Sequence, residues 1–340
     1  MSVRVGINGF GRIGRNFVRS LLERGADIEV VAVNDLLAPE VSAQLLRFDS
    51  THGTLRVPVA LEGSDLLVGD RRIAVLSERD PTALPWGELG VTIVIESTGR
   101  FTQHADAAAH LKAGAERVVI SAPCKDADAV FVVGVNEHDY DPVHHRVVSN
   151  ASCTTNCFVP MVKVLDDAFG IVSGLMTTVH AYTNDQNLLD LPHTDLRRAR
   201  AAAINIVPAS TGAGRATGLV LSAMQGRLNG SALRVPVADG SITDFTAVVR
   251  GSLGVSEVNE AFATAAQNPP LDRVLVYSED PIVSSDIVGS PASCIFDAGL
   301  TMVQPIDAVT TLVKTYGWYD NEWGYSNRLV DLIEFMGAAR

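Results

Sequence analysis

The chain has 340 residues, 47% hydrophobic and 19% charged, enough for about two domains of ~150 residues each. Its net charge of −12 argues against a nucleic-acid surface, and no apolar run approaches the ~18 residues needed to cross a bilayer. Met1–Ile7 lacks the layout of a signal peptide, which implies a cytoplasmic chain without a membrane partner, and four irregularly spaced cysteines make no disulfide framework.

Val3 to Asn8 is a short apolar run that reads as a buried strand, followed by Gly9-Phe10-Gly11-Arg12-Ile13-Gly14. A helical pattern then runs to about Glu23, with Ile13, Phe17, Leu21 and Leu22 on one face and Gly25 as its stop. Ile28 to Val33 is a second strand, ending in Asn34-Asp35. In this strand–turn–helix–strand context the glycines permit a tight turn, close approach to a pyrophosphate and close helix–strand packing. Asp35 would accept from ribose hydroxyls and repel a 2′-phosphate, which favours NAD over NADP. The structural alternative is a plain turn with a surface aspartate.

Leu45 to Arg79 alternates in short runs, as an antiparallel annex would. Strands are expected at Val91–Glu96, Arg117–Ile120, Val130–Val133 and Arg146–Ser149, with a helix over His104–Lys112. Strands alternating with helices imply an α/β fold, a Rossmann-type doubly wound parallel sheet. The texture changes after Phe169. Longer strands at Ile171–Ala181, Leu233–Val237, Ile242–Arg250 and Ala308–Tyr316, with helical patches at Arg215–Met224 and Ser256–Ala266, imply an α+β domain with a large, mostly antiparallel sheet. Tyr325 to Met336 reads as an amphipathic helix. The expected division is 1–151 for the nucleotide-binding domain, joined by a C-terminal helix within 322–340, and 152–321 for the catalytic domain.

Between the two lies Asn150-Ala151-Ser152-Cys153-Thr154-Thr155-Asn156-Cys157, just before a helical run. A cysteine at a helix start meets unpaired N–H groups and the positive dipole end, which stabilise a thiolate and can hold an oxyanion. His180 ends a β-branched run and can serve as its base. Arg234 interrupts an apolar strand, and a buried arginine needs an anionic partner. Ser210-Thr211-Gly212-Ala213-Gly214 is fit to hold a phosphate on backbone N–H groups. Cys153 and Cys157 are four apart, but nothing nearby completes a zinc set, so no metal is expected. Taken singly, the cysteines could be small buried hydrophobes, His180 a structural imidazole, the Asp195–Arg200 charges a solvated face and the Ser210–Gly214 stretch an ordinary turn.

Taken together, Ile7–Arg15, Ala151–Cys157, His180–Gln186, Asp195–Arg200, Ser210–Gly212 and Trp318–Tyr325 closely resemble the phosphorylating NAD-dependent glyceraldehyde-3-phosphate dehydrogenase family, in order and across essentially the whole chain. The resemblance implies Cys153 as nucleophile and His180 as its base. It implies that the substrate's phosphate lies near Thr183, Asp185, Arg200 and Arg234, and inorganic phosphate near Ser152, Thr154, Thr211 and Gly212. It puts Asn321 on the nicotinamide carboxamide with Tyr325 beside it, Ser97, Thr98 and Ser121 along the cofactor and Arg79 near the adenine. The implied reaction takes glyceraldehyde 3-phosphate, phosphate and NAD to 1,3-bisphosphoglycerate in glycolysis or gluconeogenesis. Erythrose-4-phosphate dehydrogenase is the alternative, and a non-catalytic NAD-binding scaffold the rival of another class. A homotetramer is implied through the 183–203 loop, which packs between subunits in this family. Three departures stand out: Cys124 as an extra, oxidation-sensitive thiol near the cofactor, Arg215 for a usual lysine, and Pro236-Val237-Ala238-Asp239-Gly240 after Arg234.

Overall fold

A computed structural model describes residues 2–339, which divide into two units. The first comprises the chain up to Phe131, Asn136–Ala151 and the residues from Ser326 on; the second comprises Val132–Val135 and Ser152–Tyr325.

The first unit is built on a nine-stranded sheet among the described residues. Its order is Ala129–Val130, Val147–Ser149, Arg117–Ile120, Ile93–Glu96, Val3–Asn8, Ile28–Asn34, Arg71–Leu76, Asp65–Val68 and Val59–Glu62. The first seven strands run parallel, and the last two add antiparallel hairpins, the expected annex. The strand expected over Val130–Val133 shrinks to Ala129–Val130, and the helix Pro39–Arg47, with proline in its first turn, was not anticipated. Parallel strands covered on both faces are apolar throughout; Val5, Ile7, Ile93, Val94, Ile95, Val118 and Val119 are fully buried. The helix Arg12–Arg24 buries Phe17, Val18 and Leu21 and stops at Gly25, whose φ of 61° lets its N–H reach Leu21 O. The sheet's order reverses between Val3–Asn8 and Ile93–Glu96, so the C-terminal ends of these strands flank a crevice.

The second unit holds an eight-stranded sheet among the described residues. Its main path is Val207–Ser210, Leu228–Val235, Ile171–Ala181, Ser241–Arg250, Thr310–Tyr319, Cys294–Asp297 and Leu275–Ser278, with Met302–Pro305 also on Thr310–Tyr319. The sheet is mostly antiparallel, as the sequence implied, yet Ile171–Ala181 pairs in parallel with Leu228–Val235, and Leu275–Ser278 with Cys294–Asp297. Ser241–Arg250 and Thr310–Tyr319 alternate between buried and partly buried residues, the mark of a sheet covered on one face. The cover is the helix Cys153–Phe169, which buries Cys157, Phe158, Met161, Val162 and Leu165. Phe158 meets Phe245 edge-on at 4.8 Å between centroids, and Gly317 is required because a Cβ there would stand 2.6 Å from Met161 Sδ. None of the helices among the described residues is long and apolar enough to cross a membrane.

Candidate active site and cofactor site

In the first unit the glycine turn is built by contact. Gly9 has φ +93°, and a Cβ there would lie 2.6 Å from Thr98 N. A Cβ on Gly14 would lie 2.6 Å from Gly9 O, so this glycine sets how closely the helix approaches the turn. Gly11, the residue before the helix, has nothing within 4 Å of where a Cβ would stand; it leaves backbone open at a helix N-terminus. Asp35 Oδ2 accepts from Phe10 N at 2.9 Å and Oδ1 from Leu37 N at 3.2 Å, tying the acid to the turn.

A cleft of about 330 Å³ opens there, lined among others by Gly9, Gly11, Asp35, Arg79, Ser97 and Thr98. These residues fit a dinucleotide: an open helix N-terminus for a pyrophosphate and a carboxylate with acceptor capacity left for a ribose. Phe10, Ile13 and Gly14 shape the turn without lining the cleft, Arg12 is paired with Asp49, and Ser121 sits one strand away, its N–H on Glu96 O. Asn8 and Asn34, which the sequence reading passed over, line the cleft as strand-end amides, with Asn34 Nδ2 donating to Asn8 Oδ1 at 2.7 Å. Beneath them the buried Glu96 carboxyl accepts from Asn8 Nδ2 at 2.6 Å, from His110 Nε2 at 3.0 Å and from Thr98 N at 2.8 Å. Trp86 Nε1 donates to His110 Nδ1 at 3.1 Å, which leaves Nε2 as the donor to Glu96. Cys124 lies buried and donates to Asp126 at 3.1 Å; burial first, then Asp126, push its thiol up to about 11, which disfavours the thiolate that oxidation would use.

In the second unit Cys153 opens the helix Cys153–Phe169. Ala151, buried with φ 54°, and Ser152, which caps the helix by accepting from Thr155 N at 3.1 Å, turn the chain so that Cys153 stands at the end of the helix rather than along it. Cys153 Sγ is 3.4 Å from His180 Nε2. His180 is buried at the end of Ile171–Ala181, its ring edge-on to Tyr319 at 5.9 Å. The Tyr319 hydroxyl bridges Thr154 Oγ1 at 2.8 Å and Thr178 Oγ1 at 2.7 Å, fastening the helix start to the strand that carries the histidine.

Burial pushes the Cys153 thiol up to about 11, against the pull of the Arg234 charge and hydrogen bonds from Thr154. Burial, then Arg234, hold the His180 imidazole down at about 3. The sequence reading expected a lowered thiol; here burial opposes each charge when it is formed alone, with the sulfur and the ring nitrogen 3.4 Å apart. The four cysteines are free, and Cys157 and Cys294 are fully buried.

Several of the residues expected to hold anions lie around His180. Arg234 is its register partner across the parallel strand pair, with Nη1 2.7 Å from His180 Nδ1. Asp185 accepts from Thr183 Oγ1 and pairs with Arg198; burial raises its carboxyl, and that hydrogen bond with the charges of Arg234 and Arg198 brings it below the usual range. Arg200 is not brought here: it pairs with Asp190 at 2.9 Å with its side chain 64% exposed, and Arg198 holds the place expected of it. Thr211 Oγ1 accepts from Ala213 N at 3.2 Å, and Gly212 precedes the helix Ala213–Val220, which packs on Cys153–Phe169. The Ser152 and Thr154 hydroxyls are engaged in the cap and with Tyr319. Asn321 is buried, its Oδ1 accepting from Ser241 Oγ at 2.7 Å, while Ser241 Oγ accepts from Ala181 N at 3.1 Å; Tyr325 is buried in the first turn of Trp323–Ala338.

Residues 152–321 match the family described as glyceraldehyde 3-phosphate dehydrogenase, C-terminal domain, and residues 3–104 its NAD binding domain. The chain is similar to the glyceraldehyde-3-phosphate dehydrogenase of Streptomyces coelicolor, 60% identical over 337 residues and 99% of each chain. It is also similar to that of Mycobacterium avium, 58% identical over 345 residues and 100% of each. With a nucleotide-binding unit, a cysteine–histidine pair and this similarity along its length, the chain belongs to the glyceraldehyde-3-phosphate dehydrogenase family of NAD-dependent oxidoreductases.

Proposed function

We propose that the protein oxidises D-glyceraldehyde 3-phosphate with inorganic phosphate to 1,3-bisphosphoglycerate. The observation that carries this reading is Cys153 Sγ at 3.4 Å from His180 Nε2, at the N-terminus of a helix and beside Arg234. Cys153 attacks the aldehyde carbon and forms a thiohemiacetal, whose oxygen is met by the Cys153 N–H and the imidazole. His180 takes the hydroxyl proton. NAD, when bound, supplies the hydride acceptor. The acyl group stays on Cys153 as a thioester, and phosphate attacks it to release the acyl phosphate. Two anion subsites are required because the product carries two phosphates. Arg234, Thr183 and Asp185, with Arg198 in place of Arg200, are assigned to the substrate's phosphate; Thr211 and Gly212, with the backbone at Ser152 and Thr154, are assigned to inorganic phosphate. In the first unit Gly9 to Gly14, Asp35, Arg79, Ser97 and Thr98 hold the dinucleotide, with Ser121 nearby, and Asn321 and Tyr325 keep the nicotinamide assignment.

The same reading takes the active molecule as a homotetramer. It is supported by the apolar side chains left open along the 183–203 loop, where Leu188, Leu189 and Leu196 are each more than 70% exposed.

The test is NADH absorbance on pure protein with glyceraldehyde 3-phosphate, with and without phosphate, beside erythrose 4-phosphate at the same concentration. The expected outcome is phosphate-dependent turnover and a higher kcat/KM for the three-carbon aldehyde. The reverse preference would hand the chain to the erythrose 4-phosphate reaction, and no turnover with either would leave an NAD-binding scaffold.

A further inference from the structure

His180 Nδ1 has two neighbours that make opposite demands. Ala181 O, 2.7 Å away, can only accept, so it favours a proton on Nδ1. Arg234 Nη1, also 2.7 Å away, can only donate, so it needs the Nδ1 lone pair. One nitrogen cannot satisfy both. Arg234 Nη1 also lies 3.0 Å from Ala181 O, so the guanidinium can supply the carbonyl in place of the imidazole. With Arg234 seated there, a neutral ring carries its proton on Nε2, the atom that faces Cys153 Sγ. Such a ring cannot take a proton from a thiol or a hydroxyl. The other tautomer, with Nδ1–H on Ala181 O, can.

Arg234 is poised to leave. Its Nε is buried and has no hydrogen-bond partner, so the guanidinium lacks an acceptor that an oxyanion would provide. We propose that Arg234 gates the tautomer of His180: an oxyanion on Arg234 draws the guanidinium off Nδ1 and turns Nε2 into the proton acceptor facing Cys153. The inference rests on the cysteine–histidine reading above and deepens it, because the substrate's phosphate then switches on the base as well as anchoring the aldehyde. The ring stays neutral in the exchange: one proton leaves Nε2 to solvent and one enters Nδ1. Cys153 can then pass its own proton to Nε2, giving thiolate and imidazolium.

The charged and titratable groups facing His180 are few. Besides Arg234, they are Cys153 on the helix, Tyr319 at the end of Thr310–Tyr319, two strands away in the sheet, and Asp185 and Arg198 on the loop. Arg234 and Arg198 oppose charge on the ring and Asp185 favours it; Asp239 acts on the Cys153 side, where it opposes the thiolate once it has lost its own proton. A bare charge argument gives the opposite sign from the gate. Arg234 stabilises the thiolate, so an anion that merely cancelled its charge would make Cys153 less reactive. The sign of the anion effect therefore separates the two.

The experiment is alkylation of the native full-length protein by uncharged iodoacetamide across pH 5–10, read by mass spectrometry of the Cys153 peptide, in chloride and in sulfate at equal ionic strength. The expected result is that sulfate lowers the midpoint by about one unit, a rise of about tenfold in rate below it. Arg234→Gln is expected to show the low midpoint in both salts, and His180→Gln to lose the sulfate response. A wild-type midpoint that sulfate leaves in place or raises overturns the gate, as does a full sulfate response in either variant. Histidine labelled with nitrogen-15 in the wild type gives a readout that needs no variant: sulfate is expected to move the proton of His180 from Nε2 to Nδ1, and an unchanged tautomer overturns the proposal. If Cys153 is not the selectively labelled thiol, or if His180→Gln leaves its rate unchanged, it is the nucleophile–base reading that falls instead.

Discussion

Asp35 serves two partners at once. Its oxygens accept from Phe10 N and Leu37 N, which steadies the glycine turn, while lone pairs remain for a ribose. Asp35→Ala is expected to weaken NAD binding and to shift the NADP-to-NAD preference by about tenfold, or ~1.4 kcal/mol, measured as the ratio of dissociation constants. Unchanged discrimination would mean that this carboxylate does not face the ribose. The acid was legible in the sequence because a strand end after a glycine turn is a local pattern. The arginine that meets Asp185 was not. Arg197, Arg198 and Arg200 lie in a loop without periodicity, and the pairing of Arg198 with Asp185, which also accepts from Thr183 Oγ1, follows no local pattern.

The helix Cys153–Phe169 holds the nucleophile in place. Its start is fixed by Ser152 and by the Tyr319 hydroxyl between Thr154 and Thr178, all three side chains of this bridge being buried. Tyr319→Phe keeps the ring against His180 and removes only the bridge. The expected cost is about 1–3 kcal/mol in denaturant-induced unfolding, because two buried threonine hydroxyls lose a partner. A variant as stable as the wild type would show that the threonines find other partners. That a helix begins at Cys153 could be read from small capping residues before an apolar run. That Arg234 sits beside His180 could not, because it depends on the register of two parallel strands far apart in the chain. A mostly antiparallel sheet was evident from alternating runs, but the parallel pair within it carries no signature of its own.

At the scale of the whole molecule, the departure after Arg234 acquires a consequence. Asp239 and Asp320 are both buried, and Asp320 accepts from Gly289 N, Glu322 N and Trp323 N at 2.7, 2.9 and 2.6 Å. Burial, then the charge and hydrogen bond of Asp320, raise the Asp239 carboxyl well above its usual range. An unfolded aspartate gives up its proton near pH ~4, so above that the folded chain keeps a proton that the unfolded chain lacks, and stability falls as pH rises towards the raised value. Asp239→Asn escapes this cost. Its melting temperature is expected to gain on the wild type progressively from pH 5 to pH 9; a difference that stays flat would show Asp239 ionised in the fold.

The seclusion of three sulfurs has a practical side. With Cys124, Cys157 and Cys294 each at most 3% exposed and Cys153 alone partly open, the native chain offers a single addressable handle. A fluorophore or spin label attached through maleimide chemistry would report from the start of the helix Cys153–Phe169, without any need to strip the other thiols by mutation.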